Sequence, residues 1–391
     1  MPPPARREAR TTGAMLTQLP FNRPHATGRE FEYIAQAIDN GYLAGNGPFS
    51  ERCTEWLQER TGCTRALLTN SCTAALEMAT LVAGIGQGDE VIMPSFTFVT
   101  TASAVALRGG TPVFVDIRPD TLNIDETAVE AAITSRTKAI LPVHYAGVAC
   151  ELDSLLDVAD RHDLLVIEDA AQAVMASYGD RALGSLGDLG CVSFHETKNV
   201  TSGEGGALLV NDPELVEAAE VVQEKGTNRS RFFRGEVDKY TWVGLGSSFV
   251  TSEINAAFLC AQLDAADEIT ARRLEIWDRY HEHFATLEAS GRLRRPIVPE
   301  GRRHNAHMYY LLMSDSSDRD ALIAALSERG IMAVFHYVPL HDSPAGRRYG
   351  RAAGPLATTI DTSDRLLRLP LWFGMTDADV DRVAAAVAES L

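Results

Sequence analysis

The chain holds only four lysines, Lys138, Lys198, Lys225 and Lys239, against 32 arginines. So strong a bias toward Arg makes each Lys informative, because Lys can do one thing that Arg cannot. A guanidinium stays protonated, whereas a buried Lys amine can lose its proton and attack a carbonyl to form a Schiff base. Lys198 stands in Cys191-Val192-Ser193-Phe194-His195-Glu196-Thr197-Lys198-Asn199, just past an apolar, strand-like segment. About thirty residues earlier, another apolar segment ends in Val166-Ile167-Glu168-Asp169-Ala170-Ala171. Taken singly, Lys198 reads equally well as a surface Lys and Asp169 as a cap. Taken together, they match what pyridoxal 5′-phosphate (PLP) requires: an acid on the pyridine nitrogen and an amine on the aldehyde.

The phosphate of such a cofactor also needs partners. Ser71-Cys72-Thr73 follows one apolar run and opens a helical one. A helix N-cap alone would account for these hydroxyls. The same position, with its free N–H groups and the positive end of the helix dipole, is a seat for a phosphate. Ser193, five residues before Lys198, offers a further hydroxyl. Ala171 and Gln172, just after Asp169, suit one face of a flat ring, and Gln172 is placed to reach the ring hydroxyl.

These residues must be held by something, and the chain between about 65 and 210 supplies it. Apolar, β-rich runs occur at 66–69, 90–93, 112–117, 139–144, 164–168, 190–194 and 206–210. Helical stretches such as 73–82, 127–133 and 152–161 lie between them. Seven short strands alternating with helices predict a mostly parallel α/β sheet covered on both faces. In such sheets ligands bind at the carboxyl ends of strands, where the candidate residues fall. A long helical stretch, 251–289, follows. The rest alternates more loosely: strand at 308–313, helix at 318–329, strand at 332–337 and a last helix at 377–390. The predicted division is a leader at 1–18, a large domain at 19–265 and a smaller α/β domain at 266–391. Residues 1–13 are rich in Pro and Arg and lack the apolar core of a secretory signal. They read as a disordered leader, with Met15 as an alternative start.

Composition narrows the function further. The net charge of −17 argues against a general nucleic-acid binder. No apolar run approaches the ~20 residues of a membrane span. The six cysteines form no CxxC pair and no metal-ligand spacing, and read as reduced thiols in a cytoplasmic protein.

The order SCTAAL (71–76), PSFTFVTTAS (94–103), PVHYAG (142–147), EDAAQA (168–173), SFHETKN (193–199), GEGG (203–206) and HYVPLH (336–341) resembles the sugar-nucleotide aminotransferases of the DegT/StrS type. The resemblance runs from about Leu19 to the end of the chain. It implies PLP-dependent transferase fold type I, the aspartate aminotransferase-like fold. It also implies Lys198 on the PLP aldehyde, Asp169 on the pyridine nitrogen, Ser71, Cys72, Thr73 and Ser193 on the phosphate, and Phe98 stacked on the ring. The run KGTNRSRFFRG (225–235) with VDKYTW (237–242) is most similar to the dTDP-4-keto-6-deoxyhexose 4-aminotransferases. Some relatives carry His in place of the Schiff-base Lys and act as dehydratases, an outcome Lys198 argues against. Two departures stand out. Many relatives have Gly where Cys72 stands. The family often has Gly-Tyr-Asn-Tyr-Arg, whose Asn reaches the partner subunit's cofactor phosphate, where this chain has Gly246-Ser247-Ser248-Phe249-Val250. Ser248 takes the place of that Asn.

On this reading the protein is a homodimer with shared active sites that uses L-glutamate and a dTDP-linked keto sugar. Glutamate displaces Lys198, whose freed amine then shuttles the proton between the amino acid and the cofactor. The reverse steps aminate the sugar, giving a dTDP-4-amino-4,6-dideoxyhexose and 2-oxoglutarate. Arg229, Arg231 and Arg234 form a polar cluster read either as a solvated charge run or as cations for the pyrophosphate. Asn46, in the turn Gly45-Asn46-Gly47-Pro48, with His336 and Tyr337, completes the candidate substrate side. A 3-keto sugar-nucleotide aminotransferase and a non-catalytic sugar-nucleotide binder are the alternatives. A nicotinamide enzyme would want a Gly-rich turn after the first strand, and none is present.

Overall fold

The computed structural model describes residues 18–391. The proposed leader therefore lies almost wholly outside the described residues. The seven predicted strands form one sheet, in the order Arg65–Thr69, Gly206–Val210, Leu189–Ser193, Leu165–Asp169, Thr137–Ile140, Glu90–Pro94, Thr111–Val115. An eighth strand, Arg351–Ala352, joins beside Thr111–Val115, so the expected count of seven is one short. Gly206–Val210 runs against both its neighbours, and the remaining pairs are parallel. The inner strands are buried on both faces, which is why they read as continuous apolar runs without alternation.

A second sheet takes the order Leu293–Arg294, Tyr309–Met313, Leu366–Leu369, Val334–Phe335. Its apolar side packs with Leu19, Trp277, Tyr280 and the final helix Asp377–Ser390 as a separate cluster. Two sequence expectations change here. The predicted helical stretch 251–289 is three helices, Glu253–Asp264, Ala266–His283 and Ala285–Ala289. The predicted strand 332–337 pairs over only two residues, Val334–Phe335. Past Phe335 the chain leaves the sheet, and the rings of His336 and Tyr337 turn toward Tyr145 and Phe96.

Glu90 ties the added edge strand to the sheet. Its buried carboxylate accepts two hydrogen bonds from Arg351 (3.1 and 2.8 Å) and others from Thr134 and Arg136. The Arg351 bonds, with Thr134 and Arg136, outweigh burial and hold the Glu90 pKa down at about 2. A depressed carboxylate contributes stability that is fully present above its ordinary pKa and is lost as pH falls through the folded value. The melting temperature should therefore drop as pH falls from about 4.5 toward about 2. Glu90→Gln should lower it at neutral pH and flatten that acid limb. An equally steep limb in the variant, by thermal melts across this pH range, would assign it to other groups.

Candidate active site

The carboxyl ends of the parallel strands open into a cavity of about 640 Å³. Asp169 is the last residue of its strand and lies on the cavity wall, 4% exposed. Its Oδ2 accepts from the Thr101 hydroxyl at 2.8 Å and its Oδ1 from the Ala171 N–H at 3.1 Å. Burial pushes its pKa above the usual carboxylate value, opposed by those two donors and by Lys198. A cation set against it would restore the carboxylate, and a protonated pyridine is such a cation.

Lys198 reaches the same cavity from the turn after Leu189–Ser193, where its N–H donates to the His195 carbonyl at 2.9 Å. Burial lowers its pKa, Cys72 and Asp169 oppose the shift, and Arg368 adds to it. The amine is thus biased toward the neutral form a nucleophile or base requires. Burial raises the Cys72 thiol well above its ordinary pKa, so it stays protonated.

Ser71 caps the helix Cys72–Val82, its Oγ accepting from the Ala74 N–H at 3.1 Å. The cap and the phosphate seat are therefore compatible readings of one residue. Ser71, Cys72, Thr73 and Ser193 all line the cavity. The turn is backed by Gly206. A Cβ there would lie 2.5 Å from both the Cys72 nitrogen and the Ser71 carbonyl carbon. The seat thus depends on a bare backbone behind it. Gly206→Ala must displace that turn, at the 1–3 kcal/mol typical of overpacking. It should weaken PLP retention on dialysis and lower the melting temperature. Gly205→Ala should do less, because its Cβ meets chiefly the movable Ser202 hydroxyl. Equal PLP retention in the two variants would detach Gly206 from the seat.

Phe98 lies on the wall, 55% exposed, with its ring centroid 6.4 Å from that of Tyr337. Gln172 lines the cavity too, but its amide is mostly committed. Its Oε1 accepts from the Ala146 N–H and its Nε2 donates to the Tyr337 hydroxyl. His336 and Tyr337 are also on the wall, and burial keeps His336 neutral. Its Nδ1 pairs with the Tyr145 hydroxyl at 3.0 Å.

The structure does not bring Asn46, Arg229, Arg231, Arg234 or Ser248 to this cavity. Three of them gather elsewhere, around Glu224. Asn46 donates to its carboxylate at 2.8 Å, Arg229 lies 3.8 Å away, and Ser248 is bridged to its backbone. Arg231 pairs with Glu217 and Glu236, and Arg234 with Glu220 and Glu236. Within one chain those carboxylates already pair Arg231 and Arg234, and Arg229 faces Glu224, as the solvated-charge-run reading has it.

Three site residues escaped the sequence. Thr101 holds Asp169 and lies within PSFTFVTTAS, where nothing in the residue types marks it out. His307 lines the cavity with its Nδ1 3.2 Å from Asn199 Oδ1. Arg368 did carry a legible signal, as a lone cation in the apolar run Leu366-Leu367-Arg368-Leu369.

A profile of the DegT/DnrJ/EryC1/StrS aminotransferase family matches residues 24–388. The chain is 36% identical over 379 residues to the spore coat polysaccharide biosynthesis protein SpsC of Bacillus subtilis, covering 95% of this chain and 96% of that one. It is 36% identical over 380 residues to the GDP-perosamine synthase of Caulobacter vibrioides, covering 96% and 99%. Among solved structures it is similar to the PLP form of Spr1654 from Streptococcus pneumoniae, classed as a sugar aminotransferase. The TM-score is 0.86 and the identity 27%, over 96% of this chain and all of that one. Among the described residues there is no helix long and apolar enough to cross a membrane and no cluster of His, Cys, Asp and Glu able to hold a metal.

Proposed function

The chain belongs to the DegT/DnrJ/EryC1/StrS aminotransferase family, and from that premise we propose that it moves an amino group from L-glutamate to C4 of dTDP-4-keto-6-deoxy-D-glucose. It is a PLP-dependent sugar aminotransferase. The observation that carries the proposal is the convergence of Lys198, Asp169 and the Ser71–Thr73 turn on one cavity. The residues fit the cofactor. The turn backed by Gly206 and Ser193 would take the phosphate, Asp169 the pyridine nitrogen, and Lys198 the aldehyde. When bound, PLP supplies an electron sink for negative charge at the substrate carbon. The protein supplies the rest. Asp169 would keep the ring protonated, Phe98 and Ala171 on the cavity wall would confine it, and the Lys198 amine would carry the proton to and from the reacting carbon.

The 4-keto, dTDP-linked substrate rests on the motif likeness of 225–242. The likeness to GDP-perosamine synthase favours a second carrier, GDP, for the same chemistry. The active form in this reading is a homodimer. Exposed apolar side chains, among them Trp242, Leu245, Phe233 and Leu43, flank the Glu224 cluster and suit a face covered by a second copy. Asn46, Arg229 and Ser248 would then serve the neighbour's cavity. The test is incubation of holoenzyme with glutamate and dTDP- or GDP-linked 4-keto-6-deoxy sugars, with NMR of the products. An amino group at C4 is expected. Amination at C3, or none with either nucleotide, would overturn the substrate assignment.

A further inference from the structure

His307 is presented to the cavity by a segment that its surroundings hold from several sides. Ala306, just before it, stands at φ +50°, a left-handed conformation unfavourable for a residue with a Cβ. The Asn305 side chain anchors the segment, donating to the Gln172 and Val174 carbonyls at 2.8 Å each. Buried Arg273 donates to the Ala306 carbonyl at 3.1 Å and to the His307 carbonyl at 2.8 Å. Backbone strain of this kind persists only where neighbours over-determine the chain, and it collects at functional sites.

The imidazole has one partner. Its Nδ1 lies 3.2 Å from Asn199 Oδ1. The Asn199 amide nitrogen donates to the Asn305 carbonyl at 2.7 Å, so the atom facing His307 is an acceptor and Nδ1 carries the proton. Nε2, on the far edge of the ring, is then a lone pair, and it has no partner among the described residues. Lys198 and His307 together line both the main cavity and a recess of about 10 Å³ beside it. Burial, then the charges of Lys198, Arg273 and Arg368, keep the ring neutral. The ionisable groups felt by the Lys198 amine are Cys72, Asp169 and Arg368. Cys72 stays protonated, and Arg368 is itself a cation. Of the acceptors on this wall, Asp169 is assigned to the ring nitrogen and Ser193 to the phosphate, which leaves His307 Nε2 for the amine.

We propose that His307 is a positioning residue for Lys198. When the amine is free of the cofactor, Nε2 accepts a hydrogen bond from it and holds the ammonium formed as Lys198 takes a proton from the reacting carbon. The assignment rests on Lys198 as the base of an aminotransferase. A bond to the charged amine favours that form, so it makes Lys198 a stronger base than burial and Arg368 would leave it. Lys198 carries a proton in both halves of the reaction, so His307 serves both, unlike a group that binds one substrate.

Two variants separate the two edges of the ring. In His307→Asn the amide takes the place of Nδ1, keeps the bond to Asn199 and leaves nothing at Nε2. In His307→Gln the amide oxygen reaches the Nε2 position. Holoenzyme loaded with pyridoxamine phosphate leaves Lys198 free. With lysine labelled with carbon-13 at Cε, the four lysines give four NMR signals, and Lys198→Ala assigns the relevant one. In His307→Asn that signal should titrate about one pH unit below wild type, the size of one hydrogen bond to a charged group. His307→Gln should recover most of the shift. Single-turnover rates with glutamate and with the keto sugar should both fall by up to about tenfold in the Asn variant, as for a base one unit weaker, and recover in the Gln variant. Calorimetric affinities for glutarate, an unreactive dicarboxylate, and for dTDP should not change, which also reports that both variants are folded. An Asn variant that titrates and turns over like wild type overturns the assignment. Asn and Gln variants altered alike, or variants that lose cofactor or dTDP in step with activity, would make His307 structural and overturn it too. A wild type that aminates no sugar, with the Lys198 signal still following His307, would sink the substrate proposal and leave this one standing.

Discussion

Lys198→Ala should abolish both half-reactions while leaving a folded protein that still takes up pyridoxamine phosphate. Of the four lysines, only Lys198 lines the cavity, and Lys225 is paired with Glu224 at 3.1 Å. No other amine can form the covalent link or carry the proton. The cavity's other cation, Arg368, stays protonated and cannot substitute. General acid–base catalysis contributes up to about 10⁴-fold, and a variant without it should fall by at least that order. The phosphate turn and Asp169 do not depend on Lys198, so added pyridoxamine phosphate should bind within about tenfold of wild type, since only one polar contact is lost. Lys198→Arg should be as inactive as the Ala variant. Turnover by Lys198→Ala at the wild-type rate, with either substrate, would remove Lys198 from the centre of the mechanism.

What the sequence could and could not disclose follows from how local each feature is. Gly206–Val210 and Leu189–Ser193 are buried on both faces, so burial wrote them as unbroken apolar runs. Asp169 ends such a run and Lys198 lies in the turn after one, and their placement at strand ends needs no knowledge of the rest of the chain. Arg351–Ala352 is different. It is two residues long, and it joins the sheet through Glu90, some 260 positions away, so no local pattern announces it. The arginines at 229–234 lie away from this chain's cavity, which their sequence could not announce for a related reason. A charge cluster does not say whether its counter-ions are substrate or the chain's own Glu217, Glu220 and Glu236. Phe335 to Tyr337 read as strand because the residue types suit one, but packing against Tyr145 and Phe96 decides where the chain turns. Thr101 and His307 were invisible because their roles depend on Asp169 and Asn199, which only the fold brings near.

Asp169→Asn should cut kcat by roughly 10²–10³-fold, the scale of losing one preorganised electrostatic partner of the transition state, and change cofactor affinity far less. Asn is nearly isosteric. Its carbonyl oxygen can keep one of the two bonds from Thr101 and the Ala171 N–H, so the packing behind the ring survives. What it cannot do is carry charge. In the native protein the carboxylate is buried, and burial alone would drive it toward the neutral acid. A protonated ring nitrogen set opposite would reverse that preference, each ion stabilising the other's charged form. With Asn the ring nitrogen loses its proton, and the negative charge that develops on the substrate carbon has a weaker sink. That charge exists only on the way to the product, so the loss falls on kcat and not on binding. Thr101→Val separates the carboxylate from its support. It removes one hydrogen bond, worth about 1 kcal/mol, and should slow turnover by only about fivefold to tenfold. Near-normal kcat in Asp169→Asn would take Asp169 off the ring nitrogen. Loss of cofactor in step with activity would instead make it a retention residue.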